Sequence, residues 1–158
     1  MSYVNGNDLL VYVKTGSGQT ATRKAIGHCT THTATFNTET KDIAVKPAAD
    51  QVRSPAGLYK EKRITGLSVQ VKCSGLCFYN EEEGGFKHIL SQWAVGQNVE
   101  LELFERPAES GGTVEPYASG AFVITTLENT APAKEDATYD ATFDNNGPVT
   151  VDPEKLGM

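Results

Sequence analysis

The sequence has few of the residues that stabilise small secreted domains. Its three cysteines, Cys29, Cys73 and Cys77, are an odd number, so a disulfide framework is not expected. No stretch is long and apolar enough to span a bilayer as a helix. Residues 1–5 lack the basic-then-apolar pattern of a signal peptide. We therefore expect a protein that is made in the cytoplasm and has no membrane partner.

An excess of positive charge is also lacking. The chain has 14 Lys and Arg against 20 Asp and Glu, a formal charge of −6. Equilibrium binding to nucleic acid needs clustered Lys and Arg that neutralise phosphates, so the composition argues against a nucleic-acid-binding protein. It does not argue against a surface that nucleic acid must pass without sticking.

No group of residues shows a catalytic or metal-binding pattern. His28 and His32 flank Cys29, but on one strand the two histidines would lie ~13 Å apart, too far to share a metal. A thiol nucleophile at Cys29 has no surrounding signature, so we expect a half-buried structural cysteine. Cys73 and Cys77 lack the second pair of ligands that a zinc site needs. We therefore predict no enzyme activity, no cofactor and no metal.

A strand–helix–strand unit between Ile64 and Phe104 is the clearest structural signal. Apolar and polar residues alternate at its start and again from Asn98 to Leu103, which is the period of a half-buried strand. Between them a helix is predicted, with Asn80 and Glu83 as N-cap and capping box and Gly96 as its stop. Its large apolar residues fall at i, i+3, i+4 and i+7 and are predicted to form one buried stripe: Phe86, Ile89, Leu90 and Trp93.

Further alternating or apolar segments predict strands at residues 9–13, 26–37, 118–129 and 138–144. The absence of other helical patterns predicts a mainly β fold, a β-sandwich or partly closed barrel with one flanking α-helix. We expect a single domain over residues 1–158. Residues 145–158 contain Gly147, Pro148 and Pro153 and are predicted to form an extended C-terminal arm.

A long charged loop is predicted at residues 38–63, where periodicity fades and Pro47, Pro55 and Gly57 occur. Residues 41–63 contain six basic and three acidic residues, a net charge of +3. Because the whole chain carries −6, the other residues together carry −9. Both a solvated loop and an assembly contact fit this charge. The basic residues are Lys41, Lys46, Arg53, Lys60, Lys62 and Arg63.

The order of these features resembles the major tail (tail tube) proteins of long-tailed bacteriophages of the non-contractile, siphovirus type. An Asn5-Gly6-Asn7-Asp8 turn precedes the first strand, and a Thr-rich strand follows Ile26-Gly27. A charged loop then leads to the strand and the single helix, which ends in Gly before the next strand. Ala131-Pro132 and an acidic turn precede the strand from Ala137 to Phe143. The resemblance covers residues 5–150, and a longer loop at 105–116 departs from it.

The resemblance implies a subunit of hexameric rings that stack into a tube, whose lumen conducts DNA during ejection. Its partners would be further copies of itself, tape measure and tail terminator proteins, and DNA in transit. Its place would be the virion, after synthesis in the cytoplasm of the host bacterium. The charged loop is then a candidate contact between rings. The candidate lumen-facing residues are Glu100, Glu102, Asp140 and Asp144.

Two alternatives remain open. One is a tube subunit of a contractile tail or of a type VI secretion system, which has a similar fold. The other is a monomeric β-sandwich binding module, for example one that recognises carbohydrate. Such a module usually exposes aromatic side chains, whereas the single Trp of this chain falls in the predicted helical stripe.

Overall fold

A computed structural model describes residues 3–15, 22–26, 29–43, 61–77, 85–106 and 115–157. Seven strands occupy these ranges: β1 Leu9–Thr15, β2 Thr22–Ala25, β3 Cys29–Ile43, β4 Glu61–Leu76, β5 Val99–Glu105, β6 Ala118–Thr130 and β7 Thr138–Val151. One helix, α1 Phe86–Val95, lies between β4 and β5, and short 3-10 turns occur at Gly6–Asp8 and Pro153–Lys155.

The seven strands form one sheet in the order β2-β1-β5-β6-β7-β4-β3. Every neighbouring pair is antiparallel. Within the described ranges the sheet is not closed, because β2 and β3 lie at its two edges. The predicted mainly β fold with one flanking helix is thus confirmed.

The apolar core lies on one face of the sheet, where α1 packs. On β5, Val99, Leu101 and Leu103 are buried at alternating positions, as the two-residue period of a strand requires. Phe86 of α1 reaches Tyr139 of β7, with 6.1 Å between the ring centroids. The other buried side chains of this core include Val11, Val13, Val69, Val71, Cys73, Ile89, Phe122, Ala141 and Phe143.

The ends of α1 differ in how well the sequence predicted them. Gly96 has φ 75 and donates its backbone N–H to the Gln92 and Trp93 carbonyls, so the predicted glycine stop is confirmed. The helix begins after Gly85, which has no side-chain cap. The predicted cap residues Asn80 and Glu83 lie outside the described residues. No helix in the described ranges is long and apolar enough to cross a membrane.

The predicted limits of the charged loop and of the C-terminal arm are wrong. β3 continues to Ile43 and β4 begins at Glu61, because their backbones pair throughout, with Thr38 opposite Leu67. Residues 44–60 lie outside the described residues. At the other end of the chain, residues 145–151 belong to β7 and pair with β6, which places Val151 opposite Ala118. The following turn is held by the Gly157 backbone N–H, which donates to the Glu105 carboxylate at 2.6 Å.

Candidate assembly surfaces

Strand register brings the predicted lumen residues together on the face of the sheet that is opposite the core. Glu100 lies on the face opposite Val99, Leu101 and Leu103 and pairs with Ala121 of β6. Val123, two residues further along the same face, pairs with Asp144 of β7, and Asp140 lies four residues before Asp144 on that face. We name this surface the polar face. It carries all four predicted candidates: Glu100, Glu102, Asp140 and Asp144.

The two β5 carboxylates of the polar face lie beside cations. The Lys14 ammonium is 3.9 Å from the Glu100 carboxylate, and both side chains are partly exposed. Arg23 Nε is 3.2 Å from Glu102 Oε2, and the Glu102 side chain is only 5% exposed. The Arg23 guanidinium also lies 5.6 Å from the centroid of the Phe104 ring, a cation–π distance.

Glu102 differs from the other three candidates in its burial. Its carboxylate is covered in the single chain, so it presents little negative charge on the polar face. The cause is Arg23, which comes from β2 and packs over β5. Tyr12 completes this corner, because its ring meets Phe104 edge-on with centroids 5.0 Å apart. The position of Arg23 depends on the pairing of β2 with β1. The sequence pattern does not predict β2, so it does not predict the contacts of Arg23 with Glu102 and Phe104.

The two β7 carboxylates of the polar face have neutral partners. The Ser74 hydroxyl donates to the Asp140 carboxylate, and the Gln70 side-chain amide donates to Asp144 at 2.9 Å. Neither carboxylate takes part in an ion pair of the described residues. Hydrogen bonds from neutral donors hold the two side chains in place without an ion pair, and Lys72 of β4 is the nearest cation by register, opposite Thr142 on the same face.

A two-stranded arm projects beyond the rest of the sheet. β4 pairs with β7 only from Gln70 onward, so the preceding residues of β4 pair with β3 alone. We call residues 36–43 and 61–69 the β3–β4 arm. Phe36 and Ile64 are exposed on it, and Leu67 is 74% exposed. A groove of about 350 Å³ runs between the arm and the end of β7, where Val149 and Val151 form the other wall.

The basic residues predicted at the loop are only partly visible. Lys41, Lys62 and Arg63 are exposed and lie in the paired strands of the β3–β4 arm. Lys41 is directly opposite Arg63, an arrangement of like charges that is unfavourable in an isolated hairpin. The remaining three, Lys46, Arg53 and Lys60, lie outside the described residues.

The helix presents a second apolar surface to solvent. Phe86 and Ile89 are buried as predicted, but Leu90 is exposed and Trp93 is 54% exposed. The prediction that all four form one buried stripe is therefore wrong. The helix contacts the core through its first turn, which contains Phe86 and Ile89. Leu90, Trp93 and Val95 lie outside this contact and are exposed.

Comparison with known proteins identifies the fold. The tail of an empty gene transfer agent particle with C6 symmetry matches with a TM-score of 0.70 and 19% identity, over 94% of this chain and 98% of that one. The SPP1 tail tube matches with a TM-score of 0.63 and 10% identity, over 97% and 84%. The anti-feeding prophage baseplate matches with a TM-score of 0.55 and 7% identity, over 96% and 97%.

Sequence comparison gives a more specific result. No curated protein matches the chain. The sequence pattern of phage tail tube proteins, in contrast, matches residues 3–151, a range that includes every strand of the sheet and the helix. Because this pattern matches nearly the whole chain, including the antiparallel sheet and α1 of the described residues, the chain belongs to the phage tail tube protein family.

Proposed function

We propose that the chain is the structural subunit of a virion tail tube, in which hexameric rings stack around a channel that conducts DNA during ejection. The observation that carries the proposal is the open edge of β3. This strand has 15 residues, pairs with β4 on one side and has no strand on its other side among the described residues. An edge of this length is a template for pairing with another chain.

A ring provides a defined partner for this edge. In a cyclic assembly, each subunit contacts its two neighbours through two different surfaces. The same rotation relates each subunit to the next, and the ring closes when these rotations complete a full turn. The β3 edge of one subunit would meet the β2 edge of the next, so the seven-stranded sheets would join into one barrel. The C6 symmetry of the gene transfer agent tail, which has the same fold, supports six subunits.

Sedimentation tests this assembly directly. Purified protein is centrifuged over a range of concentrations and salt, and the particles are imaged by negative-stain microscopy. We expect hexamers, rings or stacked tubes to increase with concentration. A monomer under all conditions, which also fails to enter tails when supplied to particles that lack their own tube protein, would contradict the proposal.

We further propose that the polar face lines the channel and that Asp140 and Asp144 give it negative charge. Glu100 contributes less, because Lys14 lies beside it. Fixed negative charge repels phosphates, so DNA passes without the counterion-releasing contacts that basic residues make. Lys72 lies on the same face opposite Thr142, so the face is acidic but not uniformly so.

Charge reversal tests the role of this face. We expect the double variant Asp140→Lys and Asp144→Lys to assemble into tubes and to slow DNA ejection, whereas Glu154→Lys, on the exposed 3-10 turn, serves as the control. Ejection is measured as DNA release from purified particles. Normal release from particles shown to contain the double variant would contradict the electrostatic role.

The β3–β4 arm is proposed as the contact between stacked rings. Lys41 and Arg63 lie directly opposite each other on the arm, and acidic groups of the next ring would pair with both. Each such exposed contact contributes only about 0–1 kcal/mol, but it repeats in every subunit of a ring. The exposed Leu67 and Ile64 add apolar area beside these charges.

The double variant Lys41→Glu and Arg63→Glu tests this contact. We expect an unchanged circular dichroism spectrum and rings that fail to stack, while Lys87→Glu on the helix should leave stacking intact. Tube length in micrographs is the readout. Tubes of normal length from the double variant would show that the arm charges do not connect rings.

The proposed function includes no catalytic turnover, and the tape measure and tail terminator proteins would be its partners in the tail. Family membership favours this function over a monomeric carbohydrate-binding module. A tube subunit of a contractile tail or of a type VI secretion system would assemble in the same manner. The presence or absence of a sheath around the tube in isolated particles separates these cases.

A further inference from the structure

Two thiols and an imidazole come together where β3 begins beside β4. Cys29 pairs with Gly75, while His32 pairs with Cys73, and an irregularity between Cys29 and Thr31 shifts the register. This register places Cys29, His32 and Cys73 on the same face of the two strands. The Cys29 thiol donates to the Thr31 carbonyl at 3.3 Å, and Cys73 and His32 lie beside Cys29. The three groups therefore form one cluster across two strands.

Two members of the cluster lie in an open cleft. Cys29 and His32 line a cleft of about 750 Å³, which also contains Arg106 and the backbone around Asn5. Cys73 lies behind Cys29 and is 1% exposed. A molecule that enters the cleft thus reaches the Cys29 sulfur before Cys73, and the Arg106 guanidinium in the same cleft favours an anionic reagent.

The local environment separates the three thiols chemically. The hydrogen bond from Cys73, together with His32, lowers the pKa of Cys29 to about 5, although burial opposes the shift. The same contact and burial raise the pKa of Cys73, and burial raises the pKa of Cys77. Of the three thiols, Cys29 is therefore the one that loses its proton most readily, and the thiolate is the nucleophilic form of cysteine.

We propose that Cys29 is a modification site that reacts with small anionic disulfides, such as glutathione disulfide, and that Cys73 is its resolving thiol. The Cys29 sulfur attacks one sulfur of the external disulfide, the S–S bond breaks and one external thiolate leaves. Cys73 then gives up its proton and attacks the Cys29 sulfur, which expels the second external thiolate. Two protein thiols become one disulfide, and one external disulfide becomes two thiols.

The result would be a covalent link between the edge strand and its neighbour. A particle that leaves the reducing cytoplasm meets conditions in which such a link persists. The chemistry itself does not depend on the proposed tail function, because every group involved lies within one chain. It can therefore fail or succeed independently of ring assembly.

Intact-mass measurement of unassembled protein treated with glutathione disulfide at neutral pH tests the proposal. We expect the wild type to lose two hydrogens and to retain no glutathione, and Cys77→Ser, the control, to behave in the same way. Cys73→Ser should retain one glutathione, because the resolving thiol is absent. Cys29→Ser should remain unmodified. A Cys73→Ser protein without the adduct, or a Cys29→Ser protein that reacts at the wild-type rate, would overturn the proposal.

A second measurement needs no variant and so does not depend on variant folding. Wild-type protein is alkylated with iodoacetamide at several pH values, and the rate at each cysteine is obtained by peptide mapping. We expect Cys29 to react at least about tenfold faster than Cys77 at neutral pH. Equal rates at the two cysteines would overturn the assignment of Cys29 as the thiolate.

Discussion

Two ion pairs on the polar face differ in how far water reaches them. Lys14 and Glu100 are 3.9 Å apart and partly exposed, so solvent and salt screen their attraction. Arg23 and Glu102 are 3.2 Å apart, and the carboxylate is nearly covered. Removal of Arg23 would leave a buried charge without its partner, which costs more than the loss of an exposed pair.

A matched pair of substitutions tests this difference. Arg23→Met should lower the free energy of unfolding by about 1–3 kcal/mol, less than for a fully buried pair because Arg23 is half-exposed. Lys14→Met should cost less than about 1 kcal/mol. Both values come from chemical denaturation of the unassembled protein. Equal losses would contradict the view that the Arg23–Glu102 contact is protected from solvent.

His88 makes stability depend on pH. Its Nε2 atom is buried with no hydrogen-bond partner in the described structure, and burial, with a smaller effect of Lys24, lowers the pKa of His88 from 6.5. The unfolded chain therefore binds a proton more readily than the folded one. Stability should fall as the pH drops below about 6.5 and should stop falling below the folded-state pKa.

The variant His88→Gln should remove this part of the pH dependence. Melting temperatures of His88→Gln, of the wild type and of the control Lys87→Gln are compared between neutral and mildly acidic pH. The control keeps His88 and its buried Nε2 atom and removes only an exposed charge next to it. A wild-type slope that persists in His88→Gln would show that another group causes it.

The helix shows which face periodicity can predict. Its existence and its glycine stop followed from the spacing of four apolar residues, yet only Phe86 and Ile89 of these are buried. Apolar spacing identifies one side of the helix, but it does not show how much of that side the rest of the chain covers. Exposed Trp93 and Leu90 therefore lie beyond the part that the single chain covers.

Two alanine substitutions separate the two parts of the helix. Ile89→Ala should lower the free energy of unfolding by about 2–5 kcal/mol, whereas Trp93→Ala should cost about 1 kcal/mol or less in the unassembled chain. Chemical denaturation provides both values. A Trp93→Ala loss as large as that of Ile89→Ala would mean that the indole packs in the core.

The strands show a similar division. Alternation around Leu101 and around Phe143 predicted half-buried strands, because one face of each lies in the core. The second half of β3, beyond Asn37, is exposed on both faces, so no contrast between faces marks it as a strand. Its order comes from pairing with β4, which single-sequence periodicity does not detect. β2 was missed for a related reason, since its four residues are too few to show a period.

Residues that are far apart in the sequence lie on one face of the sheet because of strand pairing. Carboxylates on β5 and β7 share one face because β6 lies between these strands and pairs with both. The sequence identified the carboxylates from alternation, and the family resemblance suggested their role. It did not identify the cations beside them, because Lys14 and Arg23 reach Glu100 and Glu102 only through strand pairing.

The arrangement of surfaces accounts for why a single chain is an incomplete unit. One edge is a strand of 15 residues, the β3–β4 arm and α1 expose apolar side chains, and the polar face is open. In the proposed tube, the edges pair within a ring, the arms contact the next ring and the polar faces surround the channel.

Cryo-electron microscopy of the assembled protein tests this arrangement most directly. The expected map shows rings of six subunits, with the β3 edge paired to the adjacent subunit and with Asp140 and Asp144 facing the central channel. The control is the Lys41→Glu and Arg63→Glu variant, which should give single rings with the same channel. A map in which the polar face lies on the outside of the tube, or in which β3 remains an unpaired edge, would contradict the account.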